Sequence, residues 1–285
     1  MYVTNLNLNA VTAIDTANNR TTIVRGTPPA LNGPLGIAIS PDGNTAYVTN
    51  SSSNTVTPIG LHHTSFTLET PIRVGGGPAA IAISPNGATA YVSNFNSNTV
   101  TPIDRATSTP GRPISVGAGP WSIAVSPDGK WVYVSNSEGQ SVSVINTMSR
   151  AMTLLRLSSA PQAIAVAPNG AVAYVANGKL VTPIDLASGT PVLETGIAVP
   201  NGPLGIAVTP DGSMAYTANT DDTVTPSNLA TTPAKPGDAF SVGSITQPDG
   251  IAISPDGQTA YVANATNTVT PIDFGATSRP KHSFR

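Results

Sequence analysis

From Gly36 to Asn50 the chain reads GIAISPDGNTAYVTN: two short runs of alternating apolar and small positions joined by Pro41-Asp42-Gly43. Runs this short, bounded by turn residues, predict the two strands of a hairpin rather than a helix. Five further copies follow at 80–94, 122–136, 163–177, 205–219 and 250–264, and a fragment, MYVTN, opens the chain. The seven tyrosines of the protein, Tyr2, Tyr47, Tyr91, Tyr133, Tyr174, Tyr216 and Tyr261, mark one position of the copies and lie 41 to 45 residues apart.

Each unit divides into four predicted strands, which in the first complete unit are Ile37–Ser40 (a), Ala46–Asn50 (b), Thr55–Ile59 (c) and Pro71–Val74 (d). Strand a has Ala at its centre in every copy (Ala38, Ala82, Ala124, Ala165, Ala207, Ala252) between Ile or Val. An apolar run without a polar break predicts burial on both faces, with a small residue where tapering sheets converge. Strand c carries a conflict, because Pro58, Pro102, Pro183, Pro226 and Pro271 cannot donate to a ladder. Their missing N–H is expected to face a place where strand d does not pair.

A period in the low forties cut into four short strands is that of a propeller blade. With 27 Pro and 26 Gly, helical repeats of similar period are excluded. The predicted fold is all-β: a seven-bladed β-propeller of four-stranded antiparallel blades, one domain over residues 1–285, with blades starting near 1, 34, 77, 119, 160, 202 and 247. Strands b, c and d occur seven times but strand a only six. The first blade therefore lacks its inner strand in this sequence, and the natural chain is expected to begin further upstream.

Composition narrows the partners. Charged residues are 10% of the chain and the net charge is −2, which gives no field for a polyanion and disfavours nucleic acid. Arg25, Arg73, Arg112 and Arg156 recur near outer strands but belong to different blades. The absence of cysteine removes disulfides, thiolate catalysis and Cys-ligated zinc. No apolar run is long enough for a membrane helix. The low charge and the Thr, Asn and Ser surface suggest an extracytoplasmic or cell-surface protein, whose export signal is expected upstream of Met1.

The phrases SPDG, YVTN at 2–5 and TPID at 270–273, repeated at this period over essentially the whole chain, resemble the YVTN-repeat family of seven-bladed β-propellers. That family includes archaeal surface-layer proteins and bacterial exported proteins, and is similar to propellers with lactonase folds and to one described as DNA-binding. The resemblance implies the fold more than any reaction, since most members have no assigned activity.

Residues present in every unit read as structural, and residues unique to one unit are candidates for function. The asparagines ending strand b (Asn5, Asn50, Asn94, Asn136, Asn177, Asn219, Asn264) are expected to cap the b–c turn, and Asp15, Asp104, Asp185 and Asp273 to form turns. His62-His63, with Glu69 nearby and His282 in the tail, do not make a metal set, since a site requires three or four converging ligands. Gly75-Gly76-Gly77 precedes no helix or lysine and reads as a flexible connection, and Asp221-Asp222 as a solvated turn.

The residues that differ from blade to blade lie at the start of each inner strand: Leu35, Ala79, Trp121, Gln162, Leu204 and Asp249. This position is expected at one mouth of the central channel, with Trp121 for stacking and Asp249 for a hydrogen bond or cation, or with Trp121 plugging the channel. The expected function is noncatalytic recognition of a protein or cell-envelope component, without cofactor or metal. A lactonase-like hydrolase is the alternative, and a DNA-binding propeller the third reading.

Overall fold

The computed structural model describes all residues except 27–29, 63–64, 188–189, 232, 243–247 and 275–285, and the side chain of Asp249. The fold is an all-β, seven-bladed propeller built of seven antiparallel sheets. By contacts the chain divides into two compact units, Met1–Leu154 and Leu155–Arg285. The first holds blades 1 to 4, apart from the end of the fourth outer strand, and the second holds blades 5 to 7. Among the described residues the helical element is a single 3-10 turn, Phe95–Ser97.

Inner strands run Pro34–Ile39, Pro78–Ile83, Pro120–Val125, Pro161–Val166, Pro203–Val208 and Pro248–Ile253. Blade 1 consists of Tyr2–Asn5, Ala10–Ile14 and Thr21–Arg25, corresponding to b, c and d without a. Within each unit the cores lie between consecutive blades. Val11 and Val24 of blade 1 meet Ala46, Val48 and Ile59 of blade 2, and Ala218 and Val224 of blade 6 meet Ala260, Val262 and Ile272 of blade 7.

The expected burial of strand a on both faces holds only in part: Ile81, Ile123, Ile164 and Ile206 are buried, while the central alanines and the apolar residues after them are half-buried or exposed. Ile37 and Ala38 are half-buried and Ile39 is exposed, whereas strand b is buried along nearly its whole length. Strand a has a ladder partner on one side only, while b is flanked by a and c. The recurring alanine has a local reason as well. Ala38 pairs with Tyr47, which pairs with Pro58, and the row repeats as Ala82–Tyr91–Pro102 and Ala207–Tyr216–Pro226. A small residue and a compact ring thus flank each tyrosine in its sheet.

The prolines of strand c act as the alternation rule requires. In blade 3, strand c (Thr99–Asp104) pairs with one outer piece at Ile103 and Asp104 and with another at Thr99 and Val100, leaving Thr101 and Pro102 between them. Blades 2, 5 and 6 show the same split around Pro58, Pro183 and Pro226. These sheets therefore carry five strands rather than four. Blades 1 and 4 have Ala13 and Val144 at this position, and their outer strands, Thr21–Arg25 and Met152–Arg156, are continuous.

The strand-b asparagines do more than cap a turn. All but the half-buried Asn5 are buried, and each amide group reaches across to a hydroxyl of strand c: Asn94 Nδ2 donates to Thr99 Oγ1 at 3.1 Å and Thr101 Oγ1 at 2.9 Å, Asn136 Nδ2 to Ser141 Oγ and Ser143 Oγ at 3.1 and 3.0 Å. In the a–b turns, Asp42 accepts from Ser40 Oγ and from the Asn44 amide, and Gly43 adopts φ +74°. These aspartates are turn formers, and their hydrogen bonds hold Asp42, Asp128, Asp211 and Asp256 below the usual carboxylate range.

Candidate functional site

Every inner strand contains a β-bulge at the blade-varying position. In blade 4, Pro120 pairs with Asn136 and Ser122 with Ser135, so Trp121 is the extra residue. Register shifts likewise fall at Leu35, Ala79, Gln162, Leu204 and Asp249. A bulge re-aims one side chain out of the alternation of its strand. The six residues singled out from sequence are thus alike in backbone geometry and different in chemistry.

In the first unit each bulge is held by two hydrogen bonds from the preceding blade. The left-handed asparagines of the b–c turns, Asn9, Asn54 and Asn98, accept from the amides of Gly33, Gly77 and Gly119 at 2.8 to 2.9 Å. Thr4, Thr49 and Ser93, next to last in strand b, donate to the carbonyls of Leu35, Ala79 and Trp121 at 2.6, 3.1 and 3.3 Å. Thr49 and Ser93 also accept from the amides of Gly36 and Ala80 in their own blades. One hydroxyl thereby joins two inner strands. The three glycines have φ between +62° and +66°, a conformation that favours a residue without a Cβ.

Gly75-Gly76-Gly77 is accordingly a pinned connection, not a loose one. Gly76 N donates to Ser97 Oγ at 2.6 Å, and a Cβ on Gly75 would strike the Asn94 side chain.

Trp121 is the most exposed of the bulge residues described, at 42%. Phe95 meets its ring edge-on, with centroids 5.8 Å apart and planes at 83°. Residues 93 to 98 therefore supply the hydrogen bond to its carbonyl, the ring against its indole and the anchor for Gly119. Leu35, Gln162 and Leu204 are half-buried and Ala79 is buried. Asp249 lies in the last inner strand, and its side chain is outside the described residues.

Two participants escaped the sequence reading. Phe95 follows strand b directly, where the other units carry Leu, Ser, Gly, Thr or Ala, and an aromatic ring in one unit alone was a usable signal. Glu138, an exposed carboxylate, packs against Gly119 so closely that a Cβ there would lie 2.7 Å from its Cγ. The b–c turn of the same blade, bonded through Ser137 N to Gly119 O, brings it beside the residues that lead into Trp121.

The other candidates remain apart. His62 is exposed at the end of strand c, Glu69 is exposed beyond it, and His63 and His282 lie outside the described residues. Asp221 accepts from Thr223 Oγ1 within its own turn. Among the described residues, no three His, Asp or Glu side chains are grouped as metal ligands, and no helix is long and apolar enough to cross a membrane.

A hydrazine synthase from Kuenenia stuttgartiensis superimposes with a TM-score of 0.82 at 22% identity, covering 95% of this chain and 91% of that one. A functionally unknown protein from Desulfotomaculum acetoxidans DSM 771 gives 0.88 at 15% identity over 99% and 94%. A candidate 6-phosphogluconolactonase from Bacteroides uniformis ATCC 8492 gives 0.73 at 17% over 93% and 87%. At these identities the likeness is one of fold. No curated protein matches the chain in sequence. The sequence model of the family described as "Lactonase, 7-bladed beta-propeller" matches residues 3–168, more than half of the protein, and the chain belongs to that family.

Proposed function

We propose that this propeller recognises a ligand at the bulged residues of its inner strands, with Trp121 as the stacking surface. The observation that supports this most directly is an indole left in solvent yet fixed at its backbone and at its ring by a single neighbouring segment. Leaving such a ring uncovered forgoes roughly 1.5–3 kcal/mol of burial, which a ligand with a flat face recovers. Leu35 occupies the equivalent bulge in blade 2 of the same unit, and Gln162, Leu204 and Asp249 occupy those of the second unit. The YVTN-repeat likeness and the 10% charged composition support a cell-envelope component as partner and a location outside the cytoplasm.

The test is tryptophan fluorescence titrated with solubilised cell-envelope glycan. Quenching that disappears in Trp121→Ala and persists when Trp131 is replaced by Phe is expected. Equal binding by Trp121→Ala would sink the reading.

Family membership favours a second reading, hydrolysis of a sugar lactone. Water attacks the ring carbonyl carbon, the ring C–O bond breaks, and a carboxylate and a hydroxyl result. Such a step needs a base for the water proton and donors for the oxyanion. Glu138 and Asp249 are the carboxylates proposed as that base. Proton release from glucono-δ-lactone should exceed the spontaneous rate and slow in Glu138→Gln or Asp249→Asn. A rate equal to the spontaneous one eliminates this reading and leaves the first untouched.

A further inference from the structure

The residue that follows strand c, or in blade 2 stands next to its last residue, occupies one recurring place. Its amide donates to the carbonyl just before strand b of the same blade: Leu61 to Asn44, Arg105 to Ala88, Thr147 to Lys130, Leu229 to Ser213 and Phe274 to Gln258, all at 2.8 to 3.0 Å. In each case the side chain faces the tyrosine of the preceding blade. Phe274 stacks on Tyr216 with centroids 4.3 Å apart, and the Arg105 guanidinium lies 5.2 Å over the Tyr47 ring. Leu229 packs against the cluster that holds Tyr174, while Leu61 and Phe66 share one with Tyr2.

Between blades 3 and 4 the covering residue is Thr147, which is too short. Over Tyr91 there is instead a cavity of about 360 Å³, lined by Pro85, Asn86, Asp128, Thr147 and Met148 among others. That volume lies within the range of small-molecule sites. Met148 at its rim is 93% exposed.

The neighbouring blade pair shows what fits this shape. Arg105 places its guanidinium over Tyr47, donates from Nη1 to Gly87 O and lies close enough to Asp42 to lower its pKa. Gly87 faces Pro41, as Gly129 faces Pro85. In the cavity Thr147 Oγ1 donates to Gly129 O, the counterpart of the acceptor that Arg105 uses. Asp128 supplies a carboxylate on the blade 4 side.

We propose that the cavity over Tyr91 binds a guanidinium group from outside the fold, such as an arginine side chain. The plane lies against the edge of the largely buried Tyr91 ring that borders the cavity, and its N–H groups donate to Asp128 and to Gly129 O. Two cations oppose it. Lys130 Nζ lies 3.3 Å from Asp128 Oδ2 in an exposed pair, and Arg150 stands near Tyr91 with Nη2 on Arg112 O. An exposed pair of this kind is weak and can be displaced, so the expected Kd is on the order of 1 mM.

The test follows the Met148 methyl resonance and the melting temperature of the full chain. N-acetylarginine amide, free arginine, N-acetyllysine amide and p-cresol are the probes. Saturable shifts with the arginine probes are expected, larger for the amide if the source is a peptide side chain and larger for free arginine if it is a small molecule. Thr147→Arg, which copies the arrangement of blade 3, should close the site, abolish the shift and raise the melting temperature. Asp128→Asn keeps the turn, since Asn86 and Asn169 stand there in other blades and accept the same amide bond. It should weaken binding about tenfold. A response to p-cresol alone, no response to any probe, or full arginine binding by Thr147→Arg would overturn the proposal.

Discussion

At the scale of single residues, the same side chain has opposite fates according to what it can reach. Asn136 is fully buried and donates to two hydroxyls of the next strand. Removing its amide leaves Ser141 Oγ and Ser143 Oγ, both buried, without that partner. Asn136→Ala should cost about 2–3 kcal/mol, read as a lower urea midpoint at unchanged slope. Asn86 sits in an exposed turn where other units carry Asp, and Asn86→Asp should stay within about 0.5 kcal/mol. Titration adds a further expectation. Hydrogen bonds from Thr209 and Ser213 lower Asp211 from 3.8 to about 2. A depressed folded pKa contributes stability that is complete above 3.8 and lost as the pH falls through about 2. At the other limit, burial raises Tyr133 from 10.0 to about 12, so its contribution is complete below 10.0 and lost as the pH rises through about 12. Melting temperature against pH should fall in both windows, and Asp211→Asn should reduce only the acid slope.

At the scale of the element, a single residue type in strand c decides the form of its outer neighbour. Proline splits strand d in blades 2, 3, 5 and 6, and Ala13 or Val144 leaves it whole. Val144→Pro should therefore break the ladder to Met152–Arg156 and cost about 1–3 kcal/mol, with faster amide exchange confined to that strand. Pro183→Val should change stability far less, because its partner strand is already interrupted. Strands a, b and c were legible because alternation and turn chemistry mark them locally. The division of d was legible only as a conflict at the proline, since its own sequence carries no fixed pattern. The bulge was harder to see. It adds one residue between a proline and an apolar run, and nothing in composition separates that residue from an ordinary strand position. Trp121 stood out because its chemistry differs from blade to blade, whereas Glu138 meets Gly119 only through the folding of its own blade and Thr147 meets Tyr91 only across a blade boundary.

At the scale of the whole molecule, the two units differ at one position of their common pattern. Next to last in strand b stand Thr4, Thr49, Ser93 and Ser135 in blades 1 to 4, and Ala176, Ala218 and Ala263 in blades 5 to 7. In the first unit these hydroxyls accept from Gly36, Ala80 and Ser122 and donate to bulge carbonyls one blade further on. Alanine can do neither. The bulges of blades 6 and 7 therefore follow a strand b without the hydroxyl that ties one blade to the next, and the strands b of blades 5 to 7 have none at this position to bond their own inner strands. Local opening breaks fewer bonds there, and a net hydrogen bond contributes about 1 kcal/mol. Amides of Ala163 and Gly205, at the bulges of blades 5 and 6, should exchange roughly five- to tenfold faster than those of Gly36 and Ala80. Thr49→Val, which keeps the shape and removes the hydroxyl, should bring Gly36 to the faster rate. It should leave Ala163 unchanged, whereas a rise at both places would mean that exchange follows global unfolding rather than the local bond. Ser93→Ala carries the same logic to the proposed recognition surface, because Ser93 holds the Trp121 carbonyl. Its effect should appear as a looser indole, seen as lower fluorescence anisotropy at Trp121 in a Trp131→Phe background, with the melting temperature lowered only slightly.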